Sequence, residues 1–183
     1  AGKRSLAEQL LYVIDPIIAI AGDQNPLVKA WEHRARASFV AFLGDGATSQ
    51  QMMKSILYVA DGATVMAIVR GDREVNEVKL TRALGVREVV LANEVEIRAA
   101  TSANVGFAGP RGFSGRIVID PEAANIVDAI TGANETDHHV RGVNFGRDFT
   151  GDVADIRVVT GGDACPKCGG TLASYRGIEG GHI

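Results

Sequence analysis

The chain has 183 residues with a formal net charge of −3, and 46% of its residues are apolar while only 5% are aromatic. This length suits one domain with a sizeable core, no apolar run reaches the roughly 18 residues of a membrane span, and two cysteines cannot form a disulfide scaffold. The acidic balance argues against non-specific coating of nucleic acid but permits one local basic patch. We therefore expect a domain of the reducing cytoplasm, with no membrane partner.

The first third of the chain predicts a helical lead-in followed by a β-hairpin. Asn25-Pro26 resembles a helix start, because proline is favourable at the first helical position. Thr48 can cap a short helix. Two β-rich runs, Ser55–Ala60 and Thr64–Val69, then flank Asp61-Gly62, a dipeptide that is typical of tight hairpin turns.

The middle of the chain alternates between helical and extended patterns. A helix is predicted from about Glu74 to Leu84, a strand over Glu88–Ala92, and a second helix beginning at Asn93. The glycine-rich segment Asn104–Gly115 predicts a loop, and Arg116–Asp120 predicts a strand that ends before a proline.

The remaining segments complete an α+β fold class, since strands mix with few, short helices. The further strand candidates are Ile126–Ile130, His139–Phe145 and Asp155–Thr160. We divide the chain into a helical lead-in (1–47), a core (48–160) and a glycine-rich exit segment (161–183).

Four features can carry chemistry, and each also has an ordinary structural explanation. Asp120 closes a strand and can orient a ligand or cap the next turn. His138 and His139 precede a strand and face opposite sides of it, so only one imidazole can enter a given pocket. Lys79 has the pattern of a solvated helical lysine. The loop containing Gly106, Gly109 and Pro110 brings backbone N–H groups close to any ligand, as an ordinary turn also would.

Cys165 and Cys168 have the spacing of half a zinc knuckle. A structural zinc takes four ligands, and the only histidine near this pair in sequence is His182, so we expect no intact metal site. Two free thiols are the simpler interpretation. The sequence also lacks a phosphate-binding G-x-x-x-x-G-K-[ST] loop and a G-x-S-x-G nucleophile motif.

A series of motifs runs in order from about residue 54 to the last residue. They are Ile68–Lys79 (IVRGDREVNEVK), Glu94–Ala100, Gly106–Pro110, the strand ending in Asp120, Gly132-Ala133-Asn134, His139 with Gly142-Val143-Asn144, Arg147-Asp148, Ala154–Arg157, Gly162-Asp163, Cys165–Gly170 and Arg176–Ile183. Together they resemble the insertion (editing) domain of bacterial-type prolyl-tRNA synthetases, a YbaK-like aminoacyl-tRNA deacylase family. Residues 1–47 match that family poorly.

The resemblance implies a mixed, mainly antiparallel sheet that is partly barrel-like, with short flanking helices. It implies hydrolysis of alanine mischarged onto tRNA(Pro), with the rest of the synthetase in cis and a homodimeric full-length enzyme. In this interpretation Lys79 contacts the tRNA end, the loop with Gly106, Gly109 and Pro110 holds the aminoacyl ester, and Asp120 and His139 line the alanine pocket.

Editing itself needs no cofactor in this family, because ATP and Mg²⁺ serve only the synthetase domain, which this chain lacks. No ligase activity is therefore expected. Two other functions stay open from the sequence: a non-catalytic module that binds tRNA or another partner, and a zinc-stabilised domain organised by Cys165 and Cys168.

Overall fold

The computed structural model describes residues 47–165, 167–175 and 177. The predicted helix at Asn25-Pro26, nearly all of the predicted lead-in and His182 lie outside these residues. In the described part, no helix is both long enough and apolar enough to cross a membrane.

The predicted hairpin is confirmed and organises the main sheet. Strand β1 (Met53–Ala60) pairs antiparallel with strand β2 (Ala63–Arg70) along their full lengths. The two residues between them, Asp61 and Gly62, have φ values of 48° and 79°. Two consecutive positive φ angles fit the tight turn that Asp-Gly favours, because its twist matches that of the strands.

Besides β1 and β2, the main sheet contains β3 (Val90–Leu91), β4 (Arg116–Ile119) and β7 (Asp152–Val153). Its five strands lie in the order β3-β1-β2-β4-β7. Strand β1 pairs antiparallel with β2 and β3, whereas β4 pairs parallel with β2 and β7.

A separate antiparallel pair consists of β5 (Ala129–Gly132) and β6 (His139–Val143). A parallel bridge between Met52 and Ile130 connects this pair to the start of β1. Three of the five strand pairs are thus antiparallel, and the predicted mixed α+β fold is confirmed. The main sheet of the described residues does not close into a barrel.

The helices are short and begin at polar caps. They are a 3-10 helix (Ser49–Gln51), α1 (Glu77–Leu84), α2 (Glu94–Thr101) and α3 (Pro121–Ala124). The side chain of Asn76 caps α1, and that of Asn93 caps α2 in a capping box with Glu96. Helix α1 ends at Gly85, whose φ of 74° suits a residue without a side chain.

The sheet separates two hydrophobic cores. The first lies on the face of Met66 and Ile68 and packs against α2, the 106–110 loop and the β5–β6 pair. The second lies on the face of Val65 and Ala67 and packs against α1 and Ile156. Any site on the loop and β6 is therefore across the sheet from helix α1.

Two predicted strands need correction. The prediction of a strand over Asp155–Thr160 is wrong: this segment forms only one isolated bridge, between Arg157 and Val75, and the strand lies earlier, at β7. Backbone N–H groups of the segment bind a side-chain carboxylate instead of a neighbouring strand. The strand predicted over Ile126–Ile130 begins three residues later, at Ala129.

Candidate active site

The 106–110 loop lies directly against the end of β5, and the contact is between two glycines. A side-chain carbon at Gly109 would overlap the carbonyl oxygen of Gly132, and one at Gly132 would overlap the carbonyl oxygens of Phe107 and Ala108. Gly106 adds a φ of 96°, a conformation that side chains rarely adopt. The loop glycines are therefore required by close backbone packing and by an unusual turn.

Asn134 fastens this loop to the β5–β6 connection. Its Oδ1 accepts from the Gly109 N–H at 2.7 Å, and its Nδ2 donates to the carbonyls of Gly109 at 3.0 Å and Arg111 at 2.7 Å. The backbone N–H of Asn134 also donates to the carbonyl of Phe107 at 2.9 Å. These four bonds give the loop one fixed position.

His139 borders the same loop, while His138 does not. The His139 ring meets the Phe107 ring edge-to-face, with centroids 5.6 Å apart, and His139 pairs with Gly132 across the two strands. The exposed His138 instead places its Nδ1 2.8 Å from the carbonyl oxygen of Thr136. Of the two adjacent histidines, the structure therefore brings His139 to the loop.

Burial determines the protonation of His139. Its half-buried ring is removed from water, which disfavours the charged imidazolium and lowers the pKa of His139 below its ordinary value of 6.5. The imidazole is therefore neutral at neutral pH. A neutral ring can act as a base that accepts a proton from a water molecule, whereas an imidazolium cannot.

Asp120 has the capping role that the sequence left open as its alternative. Only 2% of the residue is exposed. One carboxylate oxygen accepts from the N–H of Glu122 at the start of α3, and the other accepts from the N–H groups of Ile156 at 3.1 Å and Arg157 at 3.3 Å. Both oxygens thus bind backbone, on the face of the sheet opposite the loop.

Lys79 lies with Asp120 and not with the loop. Its Nζ contacts both carboxylate oxygens of Asp155, at 2.8 and 2.9 Å, and donates to the carbonyl of Arg157 at 3.0 Å. This ion pair is at the surface, since the side chains of Lys79 and Asp155 are 26% and 66% exposed.

The structure therefore divides the predicted site into two groups. Gly106, Gly109 and Pro110 lie with His139 on one face of the sheet. Lys79 and Asp120 both hold the 155–157 segment on the other face. This differs from the expectation that Asp120 and His139 line the same pocket, because the carboxylate of Asp120 binds backbone N–H groups of that segment, across the sheet from the loop.

Sequence reasoning missed two features. Asn134 appeared only as part of a motif, and its bonds to a loop 25 residues away have no local signal. The second feature is an ion-pair network in which Arg73 and Arg157 each contact both Glu122 and Asp163. The backbone N–H of Thr160 and the guanidinium of Arg157 hold the pKa of Asp163 far below its usual range.

The cysteine pair forms a tight hairpin. The N–H of Cys165 donates to the carbonyl of Gly170, and the N–H of Gly169 donates back to the carbonyl of Cys165. N–H groups of Lys167 and Cys168 lower the pKa of the Cys165 thiol. In residues 47–165, 167–175 and 177, no group of three or more histidine, cysteine or acidic side chains is arranged to hold a metal ion.

Two solved structures are similar to this domain in fold. One is described as a candidate trans-editing enzyme for prolyl tRNA synthetase; it has a TM-score of 0.56 and 20% identity, over 67% of this chain and 80% of that chain. Another is the hypothetical protein APE2540, with a TM-score of 0.56 and 18% identity, over 67% and 83% of the two chains. This chain therefore shares the α+β fold of these two structures.

Sequence comparisons then give the family. The model of the aminoacyl-tRNA editing domain family matches residues 37–149, and this chain belongs to that family. It is 47% identical to the proline–tRNA ligase of Thermoanaerobacter sp. (strain X514), over 82% of this chain and 27% of the ligase. It is 43% identical to the ligase of Geobacter sulfurreducens, over 92% of this chain and 30% of the ligase. The resemblance to the editing domain of proline–tRNA ligases is confirmed.

Replacing Asp120 with alanine should lower the stability of the fold, because Asp120 has a structural role. The substitution removes a helix cap and leaves two N–H groups of the 156–157 segment without their acceptor, so we expect D120A to lose about 3 kcal/mol of the free energy of unfolding in urea. The control is D155A, which removes only a surface ion pair and should cost about 1 kcal/mol or less. A D120A variant that is as stable as the original chain would contradict the structural role.

The buried His139 should make stability depend on pH. Between its lowered folded pKa and the ordinary value of 6.5, the unfolded chain binds more protons than the folded chain, so stability should rise with pH across this window. Urea unfolding at a series of pH values measures this slope. H139Q should flatten the slope and H138Q should leave it in place; identical slopes in both variants would exclude His139 as the cause.

Proposed function

We propose that this chain hydrolyses the ester bond of alanyl-tRNA(Pro), as the post-transfer editing domain of a proline–tRNA ligase. Membership of the editing family supports the class of reaction. The observation that carries the proposal is the fixed loop beside His139. Ala108, in the middle of this loop, is 8% exposed, and its N–H has no acceptor in the described part of the chain.

The reaction is needed because a synthetic site for proline also accepts the smaller alanine. Alanine is smaller than proline, so a pocket built for proline cannot exclude it, and the missing methylene groups change binding by only about 1–3 kcal/mol. A second pocket can admit alanine and reject the larger ring. The backbones at Gly109 and Gly132 leave no room for a side chain at either position, so the proposed pocket is bordered here by backbone atoms.

Hydrolysis of this ester requires few catalytic groups from the protein. An aminoacyl ester is already activated, so a positioned water molecule and a donor for the developing oxyanion are sufficient. The N–H of Ala108, which has no acceptor in the described part of the chain, is one donor that the loop offers. Neutral His139 can position the water or accept its proton, and the ribose 2′-hydroxyl of the tRNA is the alternative group that helps to activate the water.

The partners follow from the relatives. The chain spans less than a third of the curated ligases that it matches, so we propose that the rest of a homodimeric, cytoplasmic ligase holds the tRNA body and binds ATP and Mg²⁺. We propose no cofactor for the editing step. The net charge of −3 accords with this division, because an acidic domain alone should bind RNA weakly.

Purified protein should deacylate alanyl-tRNA(Pro) roughly ten to a hundred times faster than prolyl-tRNA(Pro), as expected for exclusion by size. Release of labelled amino acid measures both rates. H139A should slow the alanine reaction strongly, and the matched variant H138A, which changes an exposed ring away from the loop, should not. If neither ester is hydrolysed while tRNA still binds, the chain is a non-catalytic module; stoichiometric zinc that stabilises an inactive chain would instead favour the zinc-stabilised domain.

We also propose that Lys79, which lies across the sheet from the 106–110 loop, contacts a phosphate near the tRNA end but away from the ester. Its ion pair with Asp155 is exposed and therefore weak, so a phosphate can compete for the ammonium group. K79A should raise the KM for alanyl-tRNA(Pro) several-fold and reduce its dependence on salt. D155N keeps the ammonium and should not raise KM. Equal effects of the two variants would show that Lys79 acts only by holding the 155–157 segment.

A further inference from the structure

Asn134 binds the loop as a neighbouring strand would. Its side-chain amide exchanges two hydrogen bonds with the backbone of Gly109, one with the N–H and one with the carbonyl. A third bond, from Nδ2 to the carbonyl of Arg111, fixes which end of the amide is nitrogen, because an oxygen there would face two carbonyl oxygens. The backbone of Asn134 has a φ of 60°, which asparagine tolerates better than most residues.

A backbone hydrogen bond of Asn134 fixes the direction of the Ala108 N–H group. The carbonyl of Phe107 accepts from the backbone N–H of Asn134. The described residues contain no cis peptide bond, so the N–H of Ala108, in the same peptide unit as that carbonyl, points away from Asn134. It lies in a buried residue and has no acceptor in the described residues. Buried N–H groups without a partner are rare. Among the described residues, this one is free to donate to a ligand.

We propose that Asn134 is a positioning residue: it holds Gly109 so that the N–H of Ala108 stays directed toward the ester oxygen. This inference rests on the proposed hydrolysis and adds a residue to it. Asn134 does not touch the reacting atoms. Its side chain holds Gly109, on one side of Ala108, while its backbone N–H holds the carbonyl of Phe107 on the other. Without the side chain, only the bond to Phe107 still orients the Ala108 peptide.

Two substitutions test the role of the Asn134 side chain separately from that of its backbone conformation. N134G keeps the positive φ and removes every side-chain bond to the loop. N134D keeps an acceptor for the N–H of Gly109 but loses both donations and places a charge against two carbonyls. The control is D137G, because Asp137 lies in the same connection, also has a positive φ of 63°, and makes no hydrogen bond to the loop.

The first measurement is the kinetics of alanyl-tRNA(Pro) hydrolysis. N134G should lower kcat at least roughly tenfold with little change in KM, as expected when a donor is misdirected in the transition state. N134D should lower kcat less than N134G, and D137G should stay near the original rate. An N134G variant with unchanged kcat, or an equal loss in D137G, would overturn the inference while leaving the hydrolysis itself established.

The second measurement does not need activity. Amide hydrogen exchange followed by NMR should show a protected Gly109 N–H in the original chain, in N134D and in D137G, with protection lost in N134G. Thermal unfolding of all four proteins checks that the fold is kept. If the original chain proves inactive, the proposed function fails, and unchanged exchange at Gly109 in N134G would then separately refute the positioning role.

Discussion

The close packing of two backbone segments, at Gly109 and Gly132, is the constraint on which the candidate site depends. Neither position has room for a side chain. Because the backbones meet, the side chain of Asn134 reaches Gly109, and the ring of Phe107 reaches His139. A single added methyl group at either glycine would separate the loop from the strands and remove all of these contacts together.

The candidate site and the contacts that hold the 155–163 segment lie on opposite faces of the sheet. On the first face, the loop and the β5–β6 pair present backbone N–H groups and a neutral imidazole. On the second face, Asp120 and the ion pairs of Arg73 and Arg157 hold the irregular 155–163 segment against the core. The charged groups of this second set have charged or backbone partners. Such paired groups fix a chain segment, and their removal is costly because it leaves the partner buried and unpaired.

The sequence predicts local structure well and long-range contacts poorly. The Asp61-Gly62 hairpin and the Asn93 helix cap depend on neighbouring residues, and both were found. By contrast, two of the N–H groups that donate to Asp120 lie 36 and 37 residues away, and Lys79 contacts Asp155 at a separation of 76 residues. No spacing reveals such contacts.

The same limit explains the errors in detail. A run of β-branched residues predicted a strand at 155–160, but the N–H groups of Ile156 and Arg157 bind a carboxylate instead of a strand. The loop and His139 were identified as candidates from the sequence. Their position next to each other depends on Asn134, and no feature of the sequence marks Asn134 as important. A site made of backbone groups held by one amide needs little net charge, and this is why an acidic chain can carry out the proposed hydrolysis when other domains hold the RNA.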